Sequence, residues 1–352
     1  MRFHKPFIKQ NIEMLKRIFN FLSSFLYFTP ILYHNYICRK SLLLPLYKGK
    51  KNSANHISGK TAIYMVQSET TFSGGLSDRL RGITSIYGEC KRQGLPFKVV
   101  FEPLHLEDYL EPNRYDWRIH KSEICWDTRK VYPCTILTHH HNLKNIFQRF
   151  AQRTVLKGYL KKDYNQIHIY SNMATEEKYF SELFNELFKP TKVLQEQLDY
   201  HLGRIGGKGN YISMTFRFRQ LLGDFKEGGI TLPVEKRDIY IDKCINCVRR
   251  MVQENPEKRI LVTADSSTFL AALQDYEDLK KNVYIIPGKV VHIGFTFDAD
   301  TKTYMKSFVD YYMLSNASKV YMVRDKLLFN SGFPKRAAML TNTQYGEINL
   351  EN

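Results

Sequence analysis

From Thr61 onward, short runs of apolar residues alternate with longer segments in which apolar residues recur every three or four positions. The short runs are typical of buried strands, and the longer segments are typical of helices with one apolar face. The runs predict strands at 61–66, 97–102, 166–171, 211–218, 259–264, 282–288 and 319–324. The periodic segments predict helices at 77–94, 176–188, 240–255, 267–276 and 303–317. Strands that are apolar throughout and alternate with helices indicate parallel sheets covered on both faces, and therefore an α/β fold.

The character of the sequence changes twice, which predicts three parts. Residues 1–58 are basic and rich in aromatic residues, and we expect them to form a membrane-proximal segment. Residues 59–203 are predicted to form an N-terminal α/β domain, and residues 204–352 a C-terminal α/β domain that begins in the glycine-rich stretch "GRIGGKGN". The 352 residues suffice for two domains of ordinary size.

The N-terminal part carries most of the net charge. Residues 1–60 hold eleven Lys and Arg and one acid, Glu13, and so supply +10 of the chain's +17. Such an excess predicts an anionic partner. We find no helix-turn-helix, zinc-finger or RNP-like pattern, so nucleic acid is not the predicted partner.

The longest uncharged stretch, residues 18–38, lies within this basic part. It is long enough to span a bilayer, but polar residues interrupt it and no small-residue cleavage site follows. The pattern favours a basic, aromatic-rich amphipathic helix in the interface of an anionic membrane. A single-pass anchor and a hydrophobic arm packed on the protein's own core remain as alternatives. The favoured interpretation predicts a cytoplasmic protein, peripheral to the inner face of the membrane.

Two predicted strand ends carry candidate chemistry, because parallel sheets bind ligands beyond the carboxyl ends of their strands. The first is "SGGLSDRLRG", residues 73–82, where Gly74 and Gly75 allow close approach of the backbone before a helix begins. Arg79 and Arg81 stand in the first turn of that helix, where cations oppose the helix dipole. The loop therefore predicts a phosphate or acidic partner, the alternative being a glycine turn whose arginines face water. It matches neither the Walker pattern nor the dinucleotide-binding pattern.

The second strand end is "TFRFRQLLGDF", residues 215–225. The period of two predicts that Arg217 and Arg219 share one face of a buried strand, with Gly223 and Asp224 in the loop after it. A buried strand seldom ends in two such cations without an anion to meet them, so a diphosphate is the predicted ligand.

Both loops, together with "SFVDYYMLSNASKVYMVRDKLLFNSGFPKRAAML" near the C-terminal end, resemble the three conserved regions of the GDP-fucose-dependent fucosyltransferase superfamily. The superfamily includes the α1,2-, α1,6-, protein O- and nodulation fucosyltransferases, and the resemblance spans residues 61–345, mostly as spacing. It implies a GT-B-like fold of two Rossmann-like domains, with the donor mainly on the C-terminal domain. It also implies an inverting transfer that uses a GDP-sugar and needs no metal or other cofactor.

The resemblance assigns roles to single residues. Arg217 falls on the arginine that binds the donor β-phosphate, and Asp265 falls where the family contacts the nucleoside. The glycine-rich loop with Asp78 would lie across the cleft from them. From the loops and the resemblance together, the predicted donor-binding residues are Gly74, Gly75, Arg79, Arg217, Arg219, Asp265, Asp310, Ser331, Gly332 and Phe333.

The sequence also departs from the family. Thr215 stands where the family has a histidine, Asp78 where it has an asparagine, and "FRQLL" stretches the spacing between the arginine and the Gly-Asp pair. Fucose is therefore only the default sugar. An inverting transfer needs a carboxylate near the acceptor hydroxyl, and the candidates are Asp78, Asp224 and Glu69, with Asp78 favoured.

Three further patterns are non-specific. His139–His141 resembles a metal cluster, but three consecutive histidines cannot all face one ion from a regular element. Cys244 and Cys247 lack a second such pair, which favours buried thiols, and the sparse cysteines suit a reducing compartment. The D-x-D of residues 298–300 is too short to identify a manganese site.

The predicted function is a glycosyltransferase that moves a sugar from a GDP-sugar to a glycan or a lipid-linked polysaccharide intermediate. A non-catalytic nucleotide- or glycan-binding protein would share the arginine loops. A sulfotransferase-like enzyme is the other alternative, but its phosphate loop normally carries a Lys and a Ser or Thr.

Overall fold

The computed structural model describes residues 29, 31–50, 59–66, 74–136, 146–172, 177–224, 229–291, 293 and 301–350, without the side chains of 146–148 and 301. The strands of this part are β1 (Thr61–Val66), β2 (Phe97–Phe101), β3 (Leu110–Pro112), β4 (Val131–Thr135), β5 (Gln166–Tyr170), β6 (Phe188–Pro190), β7 (Tyr211–Phe216), β8 (Arg259–Ala264), β9 (Val283–Tyr284), β10 (Lys319–Arg324) and β11 (Gln344–Asn349). The α-helices with described bounds are α1 (Leu76–Arg92), α2 (Ile146–Leu160), α3 (Phe180–Leu187), α4 (Lys192–Ile205), α5 (Val234–Glu254), α6 (Ser267–Asp275), α7 (Thr301–Ser315) and α8 (Phe333–Leu340).

The chain forms two compact units. The first comprises the described residues of Met1–Ser73, Arg81–Glu102 and Trp117–Glu177, and the second those of Gly74–Leu80, Pro103–Asp116 and Lys178–Asn352. The sequence pattern predicts a domain boundary at 203/204, whereas the contacts within the fold assign 178–203 to the second unit. The physical reason is that β6 pairs with β3 and α4 packs against α7, all of which lie in that unit.

The first unit is built on a parallel sheet with the strand order β2-β1-β5-β4. All six residues of β1 and all five of β5 are buried, as expected for central strands covered on both faces. Strand β4 was not predicted, because Pro133 interrupts its apolar run; it lies at the sheet edge, where a missing N–H is tolerated.

The second unit holds a parallel sheet with the order β11-β10-β7-β8-β9 and a separate antiparallel pair, β3 with β6. Central strand β7 is buried along its whole length, and Thr215 in it shares a 2.9 Å hydrogen bond with Thr263 of β8. The predicted strands 61–66, 259–264 and 319–324 are confirmed. Strand β11 was missed because its sequence, "QYGEIN", is polar and half-exposed at the sheet edge.

The N-terminal part is described from residue 29, apart from residue 30. Residues 31–38 are helical and continue into a π-helical turn, Arg39–Leu43, and a 3₁₀ turn, Leu44–Tyr47. Leu43 and Tyr47 are buried in the core of the first unit, beside Ile63 of β1. The buried side chains of residues 31–47 therefore pack on the core of the first unit, whereas residues 18–28 and 30 of the predicted membrane-interface stretch lie outside the described residues. Within the described chain, no helix has both the length and the apolar character needed to span a bilayer.

Candidate functional site

The loop after β7 carries Arg217, and its side chain is held by Asp265, which directly follows β8. An Arg217 guanidinium N–H is hydrogen-bonded to Asp265 Oδ2, and the two side chains are only 14% and 10% exposed. Asp265 also accepts the backbone N–H of Phe218 at 2.6 Å and that of Arg219 at 2.7 Å. One carboxylate thus fixes three consecutive residues at the carboxyl end of the central strand.

Arg219 does not share a strand face with Arg217. Strand β7 ends at Phe216, and Arg219 adopts a left-handed backbone conformation with φ of 56°. Its guanidinium carbon lies 4.8 Å from the ring centroid of Phe329. The predicted common face is therefore wrong, because the chain leaves the extended conformation before the alternation of side chains can place Arg219.

Asp224 lies in the same connection and accepts hydrogen bonds from the residues that follow Asp265. Its carboxylate accepts hydrogen bonds from the hydroxyls of Ser266, Ser267 and Thr268 at 2.5 to 2.8 Å, and from the Thr268 N–H at 3.1 Å. A carboxylate at this place also satisfies the N-terminus of α6. The loops after β7 and β8 therefore hold each other through two carboxylates, Asp265 at one end and Asp224 at the other.

The two carboxylates have opposite pKa shifts. Burial raises the pKa of Asp265, and the Arg217 guanidinium and the two backbone N–H groups oppose that effect. Burial also acts on Asp224, but its hydrogen bonds from Ser266, Ser267 and Thr268 outweigh it and lower the pKa of that carboxyl. A carboxylate with four hydrogen bonds and a lowered pKa suits the holding of a loop better than the removal of a proton. The role of Asp224 as a base stays a prediction.

We expect Asp224→Ala to lower the free energy of unfolding by about 1–2 kcal/mol at neutral pH, because the Thr268 N–H at the start of α6 and three hydroxyls lose their acceptor. The native pKa lies below the ordinary value of 3.8. The stabilisation is therefore complete above that value and is lost as the pH falls through the lower native pKa. Urea unfolding of the wild type and of Asp224→Ala from about pH 2 to about pH 7 measures the difference in the free energy of unfolding. Asp238→Ala, at an exposed position on α5, is the control. A difference that does not depend on pH would contradict a role for the Asp224 charge.

A third loop joins the first two after β10. The buried carboxylate of Asp325 accepts the N–H groups of Leu327 and Leu328 and the Tyr240 hydroxyl, each at 2.7 Å. The Phe329 N–H then donates to the Arg217 carbonyl at 2.9 Å. Because β10, β7 and β8 are neighbours in the sheet, the three loops meet at one sheet edge, with Arg217 between the other two.

The glycine-rich loop belongs to the second unit from Gly74 onward. Gly74 has a φ of 64°, which favours glycine, and the Gly75 carbonyl accepts the N–H groups of Asp78 and Arg79 at 3.0 Å. Arg79 is only 4% exposed and donates to the carbonyls of Gly74 and Ile293 at 3.0 and 3.3 Å. Arg79 therefore braces the loop and is not a cation on a water-facing helix.

Asp78 is paired with an arginine that the sequence analysis did not select. Arg336 Nη1 lies 3.3 Å from Asp78 Oδ1 and 3.0 Å from the Ser77 hydroxyl. Arg336 stands in the first turn of α8, where a cation opposes the helix dipole. The sequence argument that selected Arg79 and Arg81 as candidate ligand contacts therefore applies to Arg336 as well. The Asp78 side chain is 37% exposed, and a ligand in solution can reach it.

Ser331, Gly332 and Phe333 form the start of α8 beside this pair. The Ser331 hydroxyl accepts the Phe333 N–H at 3.2 Å, and the Phe333 ring packs 5.0 Å from the ring of Tyr311. A Cβ on Gly332 would lie 2.5 Å from Arg336 Nη1, so glycine lets that guanidinium fold back over the helix start. These three predicted residues therefore lie together with Asp78.

Asp310 is paired with a lysine of its own helix. Its two carboxylate oxygens each accept a 3.0 Å hydrogen bond from Lys306, one turn earlier on α7, and both residues are less than 10% exposed. Burial raises the pKa of Asp310, and the Lys306 ammonium opposes it. The i, i+4 spacing of an acid and a lysine is visible in the sequence and could have indicated this pair. The structure thus ties Asp310 to Lys306, and its role in donor binding stays a prediction.

Several predicted residues lie outside the described part of the chain, namely Glu69, His139–His141 and the D-x-D of residues 298–300. Cys244 and Cys247 are buried free thiols on α5, as predicted, and burial raises the pKa of both. No three potential metal ligands lie together within the described residues.

No protein-family model matches the chain, and no curated protein matches its sequence. Solved structures do match. FUT1 from Arabidopsis thaliana, solved in complex with GDP, has a TM-score of 0.52 and 11% identity and covers 91% of this chain and 79% of its own. The fucosyltransferase NodZ from Bradyrhizobium has a TM-score of 0.48 and 12% identity, over 80% of this chain and 93% of its own. POFUT1 in complex with GDP has a TM-score of 0.48 and 12% identity, over 85% of this chain and all of its own.

The similarity to the plant structure establishes the fold. The α/β fold with two parallel sheets is of the GT-B kind found in these fucosyltransferases, as the sequence motifs indicated. Sequence identity this low says nothing of the substrate, so the chemistry has to be argued from the residues themselves.

Proposed function

We propose that this chain is a glycosyltransferase that transfers a sugar, by default fucose, from a GDP-sugar to a glycan or a lipid-linked polysaccharide intermediate. The observation that carries the proposal is the position of Arg217. It stands at the carboxyl end of the central strand of a GT-B-like unit and is held there by Asp265 and by the loops after β8 and β10. Ligands of open parallel sheets bind at this edge.

The charge at this edge fits an anion. Arg217 and Arg219 place two guanidinium groups at this edge, while Asp224 is held by hydroxyls and an N–H at the start of α6. A diphosphate is the ligand that two neighbouring guanidinium groups suit best. The plant structure of the same fold was solved in complex with GDP, and we take a guanine nucleotide from it as the diphosphate carrier to test first.

The proposed reaction is an inverting transfer. A carboxylate removes the proton of the acceptor hydroxyl as that oxygen attacks the anomeric carbon, and the bond between that carbon and the diphosphate breaks with its electrons leaving on GDP. Arg217 stabilises the negative charge that develops on the β-phosphate, and in this proposal no metal is required for it. Asp78 remains the favoured base among Asp78, Asp224 and Glu69, because its carboxylate is accessible while Asp224 is engaged in capping α6.

The test is a screen of nucleotides against the purified full chain, with thermal unfolding and calorimetry as readouts. We expect GDP to raise the unfolding temperature in the presence of EDTA, because binding to the native state alone stabilises it by mass action. UDP, CMP and 3′-phosphoadenosine 5′-phosphate are expected to shift it less. Stabilisation by UDP only with Mn²⁺, or by none of the nucleotides, would contradict the proposed donor.

The same screen separates the alternatives. A sulfotransferase-like protein would respond to 3′-phosphoadenosine 5′-phosphate rather than to GDP. A non-catalytic binding protein would bind GDP but release none from GDP-fucose or other GDP-sugars in the presence of glycan and lipid-linked acceptors. Release of GDP that depends on an acceptor supports the transferase.

A further inference from the structure

The N-terminal helical segment has two unlike faces. Ile31, Asn35 and Cys38 are 2 to 6% exposed and face the first unit. The opposite arc of the helix and its π-helical continuation carry large apolar side chains that are 43 to 67% exposed, which we call the outer face: Leu32, Tyr33, Tyr36, Ile37 and Leu42. Five of the fourteen exposed large hydrophobic residues in the described chain thus lie within eleven consecutive positions. Monomeric proteins rarely leave such a cluster in water without a use for it.

The segment is fixed in this orientation by polar contacts. The Asn35 amide donates to the Tyr159 hydroxyl at 3.2 Å, and Arg39 Nε donates to the Pro133 carbonyl at 3.0 Å. Farther along, the Tyr47 hydroxyl is hydrogen-bonded to His168 and Tyr170 at 2.8 and 2.9 Å. The outer face cannot turn inward without breaking these bonds, so its exposure is a property of the fold.

The charged side chains of the segment itself are all positive. Residues 29–50 contain Arg39, Lys40, Lys48 and Lys50 and no Asp or Glu, and the three lysines are exposed. Lys40 extends over the Tyr36 ring, with its Nζ 4.7 Å from the ring centroid. Apolar and aromatic side chains bordered by lysines are the composition that lies in the headgroup region of an anionic bilayer.

We infer that the outer face is a docking surface for an anionic lipid bilayer, with the first unit anchored behind it. Tyr33 and Tyr36 suit the boundary between headgroups and acyl chains, where aromatic rings with a polar tip are favoured. Lys40 and Lys48 lie where they can reach lipid phosphates. A second copy of the chain is the less suitable occupant, because pairing two outer faces would bring lysines together with no carboxylate in the segment to neutralise them.

The test uses the full chain and vesicles, without nucleotide. Flotation is measured with vesicles of phosphatidylcholine alone and with vesicles that also contain phosphatidylglycerol. The variant combines Leu32→Ser, Tyr33→Ser, Tyr36→Ser and Ile37→Ser, all at exposed positions. We expect the wild-type chain to float with the anionic vesicles and the variant to bind them at least about tenfold more weakly. The matched control, Val193→Ser with Tyr200→Ser, removes exposed apolar side chains from α4 and should bind like the wild type.

Two results would overturn the proposal. One is equal vesicle binding by wild type and variant, with both folded by circular dichroism and thermal unfolding. The other is a wild-type protein that binds neither kind of vesicle and sediments as a dimer, together with a variant that sediments as a monomer. Point variants are needed because deletion of residues 1–55 would also remove Leu43 and Tyr47 from the core. The readout involves neither GDP nor an acceptor, so its failure is distinct from a failure of the proposed glycosyl transfer.

Discussion

Arg217→Ala is expected to weaken GDP binding by about 2 to 4 kcal/mol, which is about 30- to 1,000-fold in Kd. The guanidinium is only 14% exposed at the strand end, so water replaces its contact with a phosphate poorly. Isothermal titration of wild type and variant with GDP measures the change. The control is Arg249→Ala, which removes an arginine of α5 in the same unit that pairs with Asp278, in the turn after α6. An unchanged Kd for GDP in Arg217→Ala would contradict the proposed contact between Arg217 and a donor phosphate.

The Arg217 variant needs one further comparison, because Asp265 depends on the same guanidinium. Without it, the buried carboxylate keeps two backbone N–H partners but loses its counter-ion, which destabilises the folded state. Arg217→Lys restores a positive charge but not the planar fork of donors. If Arg217→Lys recovers the thermal stability while GDP binding stays weak, the loss of affinity belongs to the missing phosphate contact and not to unfolding.

Lys306→Met is expected to lower the free energy of unfolding by about 3–5 kcal/mol at neutral pH, because it leaves the Asp310 carboxylate buried without a partner. Burial already raises the pKa of Asp310, and the Lys306 ammonium opposes it, so the substitution raises that pKa further. A group whose native pKa is raised stabilises the fold at low pH and loses that contribution as the pH rises through the native value. The deficit of the variant should therefore grow from acid to neutral pH, which denaturant unfolding at several pH values measures.

Two variants check the cause of this deficit. Lys302→Met removes an exposed lysine from the same helix and should change stability by less than about 0.5 kcal/mol. The double variant Lys306→Met with Asp310→Leu removes both charges and should recover most of the loss, because a buried pair contributes little beyond an apolar pair of similar size. An equal deficit at every pH would show that lost packing around the lysine stem, and not an unpaired carboxylate, destabilises the variant.

Much of the fold was predictable from local pattern. Strands β1 and β7 are buried at every position and β8 and β10 at most or half of theirs, because all four lie inside parallel sheets whose two faces are covered. The edge strands were harder. Strand β4 contains Pro133 and β11 is polar, because a strand with one neighbour tolerates a missing donor and an exposed face.

The candidate site was predictable in part. The rule that ligands bind beyond the carboxyl ends of parallel strands selected the loops with Arg217 and Asp265, and the structure joins these two residues. Arg336 was missed because its partner, Asp78, lies 258 positions away, and Asp325 was missed because it binds backbone N–H groups, which leave no trace in residue type.

Residue order alone determined the α/β class, the central strands, the basic N-terminal part and the presence of arginines where strands end. These depend on hydrophobic periodicity and charge, which are local properties of a chain. Only the tertiary structure decided that Arg217 is held by Asp265, that Asp224 binds the start of α6, and which face of the segment 31–43 is exposed. The two pairings depend on where the chain turns after a strand ends. The left-handed backbone conformation at Arg219 changes the direction of the chain and therefore of the side chains that follow. Which distant residues then pair depends on how the chain packs, and not on their separation in the sequence.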